Sequence, residues 1–245
     1  MVLLLYTLTT WRIVKIMNLS NETVSVLKNF STINQNLVIK SGNSISTISA
    51  QKNIVAQATV KETFPQDFAI YDLNEFLAAL SLFEKPDLEF RDDFVVITEN
   101  GSTSKSLKYW YSDPSVVTTT TKEITMPECE ISFSLGNNLL SDVQKAAAVI
   151  GVPDMVLQAM SAGKAVLKVT DKKNSTANDY AVGIDVNNED GKDLPYKFWF
   201  KVENLKLLSG TYNVAVSSKN ISHFVNSNVD IGYWIALEPE SKYDA

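Results

Sequence analysis

The sequence predicts an α+β protein built from two similar halves. Three observations carry that expectation. The same order of helix and strand signals occurs twice, two stretches of the first half have counterparts in the same order in the second, and an aperiodic connector lies between them. At 245 residues the chain has room for two domains of ordinary size.

In the first half, Ser20 can cap a helix whose apolar positions Val24, Leu27, Phe30 and Ile33 recur every third residue, with Lys28 at the edge of that stripe. Short alternating or β-rich runs follow at Leu37 to Lys40, Ser44 to Ser49 and Ile54 to Val60. Gly42-Asn43 reads as a hairpin turn between the first two. Asp72 with Glu75 resembles a capping box for a second helix, with Leu73, Phe76, Leu77 and Leu80 as its apolar face and Pro86 as its stop. Strands are expected at Asp87 to Arg91, Phe94 to Thr98 and Ser106 to Ser112.

The second half repeats this plan. A strand at Glu130 to Ser134 leads to a helix capped by Asn137 or Asn138, burying Leu139, Leu140, Val143 and Ile150. Strands are expected at Met155 to Met160, Ala165 to Thr170, Tyr180 to Val186 and Tyr196 to Lys201, with a turn at Ala162-Gly163-Lys164. A short helix from Glu203 to Leu208 ends at Gly210, and strands at Tyr212 to Ser217, Ile221 to Val225 and Ile231 to Leu237 close the chain. Residues 36–45 (NLVIKSGNSI) parallel 154–167 (DMVLQAMSAGKAVL), and 72–77 (DLNEFL) parallel 202–208 (VENLKLL). The connector, 113–127 (DPSVVTTTTKEITMP), is extended and carries Val116, Val117 and Ile124, apolar groups that either mark a binding surface or tack it to the domains.

Composition narrows the chemistry. Cys129 is the only cysteine and His223 the only histidine, which excludes an intrachain disulfide, multi-thiolate metal sites and paired-histidine sites. No P-loop, dinucleotide fingerprint, nucleophile elbow or HExxH helix occurs. Asp92-Asp93 sits where a hairpin turn belongs, so neither a catalytic group nor a cofactor is expected. Net charge is −6, from 22 basic and 28 acidic residues, so any nucleic-acid contact requires the cations to be segregated onto one surface. The apolar run within Met1 to Ile16 is too short to span a bilayer, and Arg12 and Lys15 follow it instead of preceding it. An upstream start, an extra strand or a tail explains that segment better than membrane targeting.

Residues 18–34 (NLSNETVSVLKNFSTIN), 69–83 (AIYDLNEFLAALSLF), 111–116 (YSDPSV) and 209–214 (SGTYNV) resemble the T-even-type phage sliding clamps, which are PCNA-like. The resemblance runs from about Met17 to the C-terminus, denser in the first half. It implies clamp domains at 17–112 and 128–245, a connector at 113–127 and residues 1–16 outside the family match. It also implies two helices inside and antiparallel sheets outside each domain, and a homotrimeric ring of six such domains. The implied role is a non-enzymatic processivity factor that encircles duplex DNA without reading sequence. An ATP-driven loader would place it, it would tether the replicative DNA polymerase and assist late transcription, and it would work in the cytoplasm of the infected bacterial host. On the expected helices, Lys28, Lys145 and Lys206, and more weakly Lys85, are the candidates for phosphate contact. Edge strands at Ser106 to Tyr111 and Tyr180 to Val186 would pair between copies. Val116, Val117, Ile124, Leu237 and Pro239 are the candidates for partner peptides. The competing readings are a β-rich structural or adsorption protein of a virion, and an enzyme with an unrecognised carboxylate site.

Overall fold

The computed structural model describes residues 16–100, 102–119 and 124–244. The expected N-terminal extension up to residue 15 and positions 120–123 of the connector lie outside the described residues.

The first half runs β1 (Ile16–Asn18), α1 (Asn21–Ile33), β2 (Leu37–Ile39), β3 (Gly42–Ile48), β4 (Ile54–Phe64), β5 (Phe68–Ile70), α2 (Leu73–Leu80), β6 (Pro86–Phe90), β7 (Phe94–Glu99) and β8 (Ser102–Trp110). A 3-10 turn at Pro114–Val116 follows. The second half runs β9 (Ile131–Leu135), α3 (Asn137–Ile150), β10 (Asp154–Ser161), β11 (Lys164–Thr170), β12 (Tyr180–Asp185), β13 (Asn187–Asn188) and β14 (Tyr196–Lys201). A 3-10 turn at Val202–Asn204 then leads to β15 (Tyr212–Ser217), β16 (Ile221–Asn226), β17 (Ile231–Ala236) and β18 (Lys242–Tyr243).

The repeat is visible in the sheets. In one half the order is β1-β6-β7-β8; in the other it is β9-β15-β16-β17, with a helix entering after the first strand of each. The remaining strands of the second half, apart from β13 beside β9, form β12-β11-β10-β14-β18. Their first-half counterparts are split between β4-β3 and a separate β2-β5 pair. The halves are joined because β17 pairs with β4, Tyr233 opposite Ala56 and Ile235 opposite Ile54. The result is a seven-stranded sheet, β13-β9-β15-β16-β17-β4-β3, that crosses from one half into the other. Beneath it one connected apolar core holds side chains of both halves, Phe30, Phe76, Tyr212, Phe224 and Tyr233 among the most deeply buried. Truncating a fully enclosed ring such as Phe30 would cost about 3–5 kcal/mol.

Local chemistry explains the helix ends. Ser20 Oγ accepts from Thr23 N at 3.2 Å, and Asp72 Oδ1 accepts from Asn74 N at 2.9 Å and Glu75 N at 3.2 Å. The first helix buries Thr23, Val26, Leu27, Phe30 and Ile33, so Val26 and not Val24 completes its stripe. The second stops at Leu80, before Pro86, which instead opens β6. The third has Gly136 as its cap, which has no side chain to offer, so neither Asn137 nor Asn138 caps it; both lie inside the helix, and Asn137 Oδ1 accepts from Gly210 N at 2.9 Å. It ends at Gly151, whose φ of 69° is the left-handed conformation that glycine adopts without a Cβ clash.

Two expectations are corrected. Leu37–Ile39 and the strand after it are not a hairpin: β2 pairs with β5, and β3 with β4. The helix expected from Glu203 to Leu208 is only the 3-10 turn at Val202–Asn204. Here the carbonyls of Leu205 and Lys206 accept from Gln144 Nε2 (2.8 Å) and Asn29 Nδ2 (3.0 Å). Leu208 donates its N–H to the Tyr233 hydroxyl and accepts from the Tyr212 hydroxyl. Side chains from elsewhere thus satisfy the backbone groups that a helical ladder would otherwise use.

Candidate nucleic-acid interface and partner surface

Those same bonds build the candidate interface. Segment 205–208 lies between α1 and α3, held by Asn29 on one and Gln144 on the other. Tyr233 OH donates to Asn29 Oδ1 at 2.8 Å, fixing the amide from below. Lys28 adjoins Asn29, Lys145 adjoins Gln144, and Lys206 lies in the segment itself, its Nζ donating to Thr32 O at 2.6 Å. Lys28 and Lys145 therefore sit on the two helices of one layer that bridges the halves, with Lys206 in the non-helical segment between them. Lys85 lies apart, after α2, where its backbone N–H donates to Glu99 Oε1 at 2.9 Å and its carbonyl accepts from Asn100.

Lys28 and Lys145 are exposed, and Lys206 is half-buried. Among the described residues no carboxylate lies within ion-pair distance of any of the four candidates, whereas Lys40, Lys61, Lys164, Lys168, Lys172 and Lys201 are all paired. An ammonium without a carboxylate partner keeps its charge available for a mobile anion. The second helix contributes no cation here; its exposed positions are Asn74, Glu75 and Ala78. The amides Asn29 and Gln144, which set the spacing of this layer, were not among the sequence candidates. A polar residue half-buried on a helix gives no sign of a partner so distant along the chain.

The five partner candidates separate by burial. Val116 is 58% exposed, whereas Val117 is buried in a small cluster with Val38 of β2 and Ala69 of β5. Val117 thus pins the connector to the short β2-β5 pair and leaves Val116 outward. Ile124 is half-buried, Leu237 belongs to the main core, and Pro239 is exposed.

His223 stacks on Trp234, centroids 4.3 Å apart at 12°, and burial lowers its pKa by disfavouring the charged form. Burial, then Glu130 and Glu189, push the Cys129 thiol up, away from the thiolate form. No group of three His, Cys, Asp or Glu side chains able to hold a metal occurs among the described residues. No helix among them is long and apolar enough to cross a membrane.

The family described as DNA polymerase processivity factor matches residues 20–119. Among solved structures, PCNA from Entamoeba histolytica aligns with a TM-score of 0.66 at 11% identity, covering 91% of this chain and 98% of that one. A. fulgidus PCNA aligns at 0.68 and 12%, covering 93% and 99%. The Caulobacter crescentus DNA polymerase sliding clamp aligns at 0.66 and 14%, covering 92% of this chain and 65% of that one. At such identities these establish the fold, that of the DNA clamps. The sliding clamp of Vibrio phage KVP40 is 33% identical over 226 residues, 91% of this chain and 99% of the relative. That of phage T4 is 27% identical over 237 residues, 93% and 100%. The chain belongs to the phage sliding clamps, which are processivity factors of DNA polymerase.

Proposed function

We propose that three copies of this chain close head to tail into a ring around duplex DNA and tether the replicative polymerase to its template. The observation that carries this reading is the repeated sheet order. Inside the chain, the last strand of one repeat (β17) pairs with β4 of the other. The corresponding strands, β8 and β12, are sheet edges with unpaired ladders. A heterologous joint of this kind, repeated between copies, closes into a ring when the rotation permits.

Lys28, Lys206 and Lys145 would then line the inner surface. Few, sequence-blind phosphate contacts from lysines without a carboxylate partner let a ring slide, while enclosure supplies retention. The net charge of −6 keeps the remaining surface unattractive to stray DNA. The clamp itself performs no chemistry and uses no cofactor. An ATP-driven loader opens it on DNA in the cytoplasm of the infected bacterial host, and it also assists late transcription. Val116, beside the Val117 anchor, and Pro239 are the exposed apolar contacts for partner peptides, with Ile124 and Leu237 supporting them.

Native mass spectrometry and primer extension test the proposal together. A trimer is expected, with long products on primed circular DNA that shorten when a linear template lets the ring slip off an end. A stable monomer, or stimulation indifferent to template ends, would overturn it.

A further inference from the structure

The internal joint specifies more than which strands meet. Met17 and Phe133 each lie three residues before a helix cap, Ser20 and Gly136, so they correspond. Met17 faces Leu88, Leu88 faces Ile97 and Ile97 faces Leu107. In the other half Phe133 faces Val214, Val214 faces Phe224 and Phe224 faces Tyr233. Leu107 of β8 therefore corresponds to Tyr233 of β17.

The partner strands align from their hairpin ends. The β3-β4 hairpin is closed by Ser49 N donating to Ile54 O, and the β11-β12 hairpin by Val169 opposite Tyr180. Ser49 and Val169 are both buried, so both closing positions face the core. Aligned at these closures, two residues away from the parallel that ends Ile45 on Leu167, Tyr180 corresponds to Ile54, and Val182 to Ala56.

Resting on the ring reading above, we infer that the seam between copies repeats the internal register. Leu107 of one copy stands opposite Val182 of the next, Lys108 opposite Ala181, and Tyr109 opposite Tyr180. Ala236 N donates to Asn53 O inside the chain; the matching bond runs from Trp110 N to the Asp179 carbonyl of the neighbour. The exposed flanks agree with a covered edge: Trp110 is 61% exposed, Tyr180 38% and Met160 67% in the isolated chain. Met160 lines a hollow with Lys164, Gly183, Ile184 and Asp185 that spans β10, β11 and β12.

The same register places Lys108 diagonally across from Asp179, within reach of a long side chain. Lys108 Nζ lies 4.4 Å from the Phe94 ring centroid and 5.4 Å from that of Trp110, which hold it at the outer face. Asp179 is 3.8 Å from Lys168 Nζ, so it would bridge two ammonium groups across the seam. The internal seam has no such ion pair, since Trp234 faces Val55 at the position matching Lys108. The seam between copies is thus the salt-sensitive one.

Cysteine pairs in a full-length Cys129→Ser background test the register. Neighbouring antiparallel positions alternate in geometry, so two matched pairs are needed, Leu107→Cys with Val182→Cys and Lys108→Cys with Ala181→Cys. Each is run against a pair shifted by two, Leu107→Cys with Tyr180→Cys and Lys108→Cys with Gly183→Cys. Under mild oxidation at least one matched pair should give covalent dimers and trimers, and the shifted pairs at least tenfold less. Cross-linking that favours a shifted pair, or none in a sample that remains trimeric by native mass spectrometry, overturns the register while leaving the ring. A monomer before oxidation removes both. Separately, Asp179→Lys should weaken the trimer at least tenfold, and Lys108→Glu added to it should restore most of that loss.

Discussion

Lys172 Nζ lies 3.0 Å from Glu238 Oε2, and the lysine side chain is only 9% exposed. It is also 2.8 Å from Glu240 Oε2, so one ammonium clasps the C-terminal segment to the loop after β11. Burial pulls the Lys172 pKa down, but hydrogen bonds to Glu240 and Glu238 outweigh it and hold the group above its ordinary value. A raised lysine stabilises the fold fully below its unfolded pKa and loses that contribution as pH rises through the folded value. Replacing Lys172 with Met should cost about 1–2 kcal/mol near pH 7, mostly through Glu238 because Glu240 is solvent-screened. Urea denaturation reads the cost. Amide exchange across residues 238–244 should quicken with it, and unchanged exchange there would argue against a clasp.

Glu62 governs acid stability at the start of α1. Its carboxylate accepts from the Ser20 N–H and the Thr23 hydroxyl. Burial raises its pKa, yet those bonds together win and hold it below 4.5. A lowered carboxylate stabilises above its unfolded pKa and loses that contribution as pH falls through the folded value. Glu62→Gln should therefore lose about 1 kcal/mol at pH 7 and show a shallower decline below about pH 4.5 than the parent. Parallel melting curves from pH 7 to pH 3 are the measurement.

Reversing charge on the shared helix layer separates function from folding. Lys28→Glu and Lys145→Glu should leave the melting temperature nearly unchanged, within about 0.5 kcal/mol, because both side chains are exposed and unpaired. Lys206→Glu should cost about 1 kcal/mol more, since its Nζ bonds Thr32 O. The triple variant should lower processive synthesis on primed circular DNA at least tenfold. Undiminished product length would refute the assignment.

Gly210 tests a close approach. Its φ is +158°, and an added Cβ would meet Asn226 Nδ2 at 2.3 Å. Asn226 cannot swing away freely, because its Oδ1 accepts from Asn228 N at 2.9 Å and Val229 N at 3.0 Å. Gly210→Ala should destabilise by about 2 kcal/mol or more in chemical denaturation.

Val117 should act as the connector's anchor. Val117→Asp would bury a charge against Val38 and Ala69, so the connector should release instead. Limited proteolysis should then cut within residues 113–127 at least several-fold faster, while Val116→Asp, outward and exposed, should not change the rate.

Much of the fold is legible in the sequence because its signals are local. Ser20 and Asp72 announce helices through their own side chains, and alternation marks strands such as Tyr212–Ser217. What escapes the sequence is set by distant partners. The Glu203–Leu208 stretch has helical spacing, yet Asn29 and Gln144 capture its carbonyls. Phe68–Ile70 and Lys242–Tyr243 are too short to signal a strand and exist only by pairing with β2 and β14. Helix periodicity puts Lys28 and Lys145 on exposed faces. Lys206 reaches the same layer through a segment that is not helical at all.

The strand that joins the halves also sets a timetable for synthesis. Ala58 finds its partner in Ile231, so most of the chain must be made before the β4 edge can be covered. At about 5–20 residues per second, the ~170 residues between them take roughly 10–35 s, with the β17-facing edge of residues 54–58 open throughout. During that interval the nascent chain carries an aggregation-prone edge on its first half.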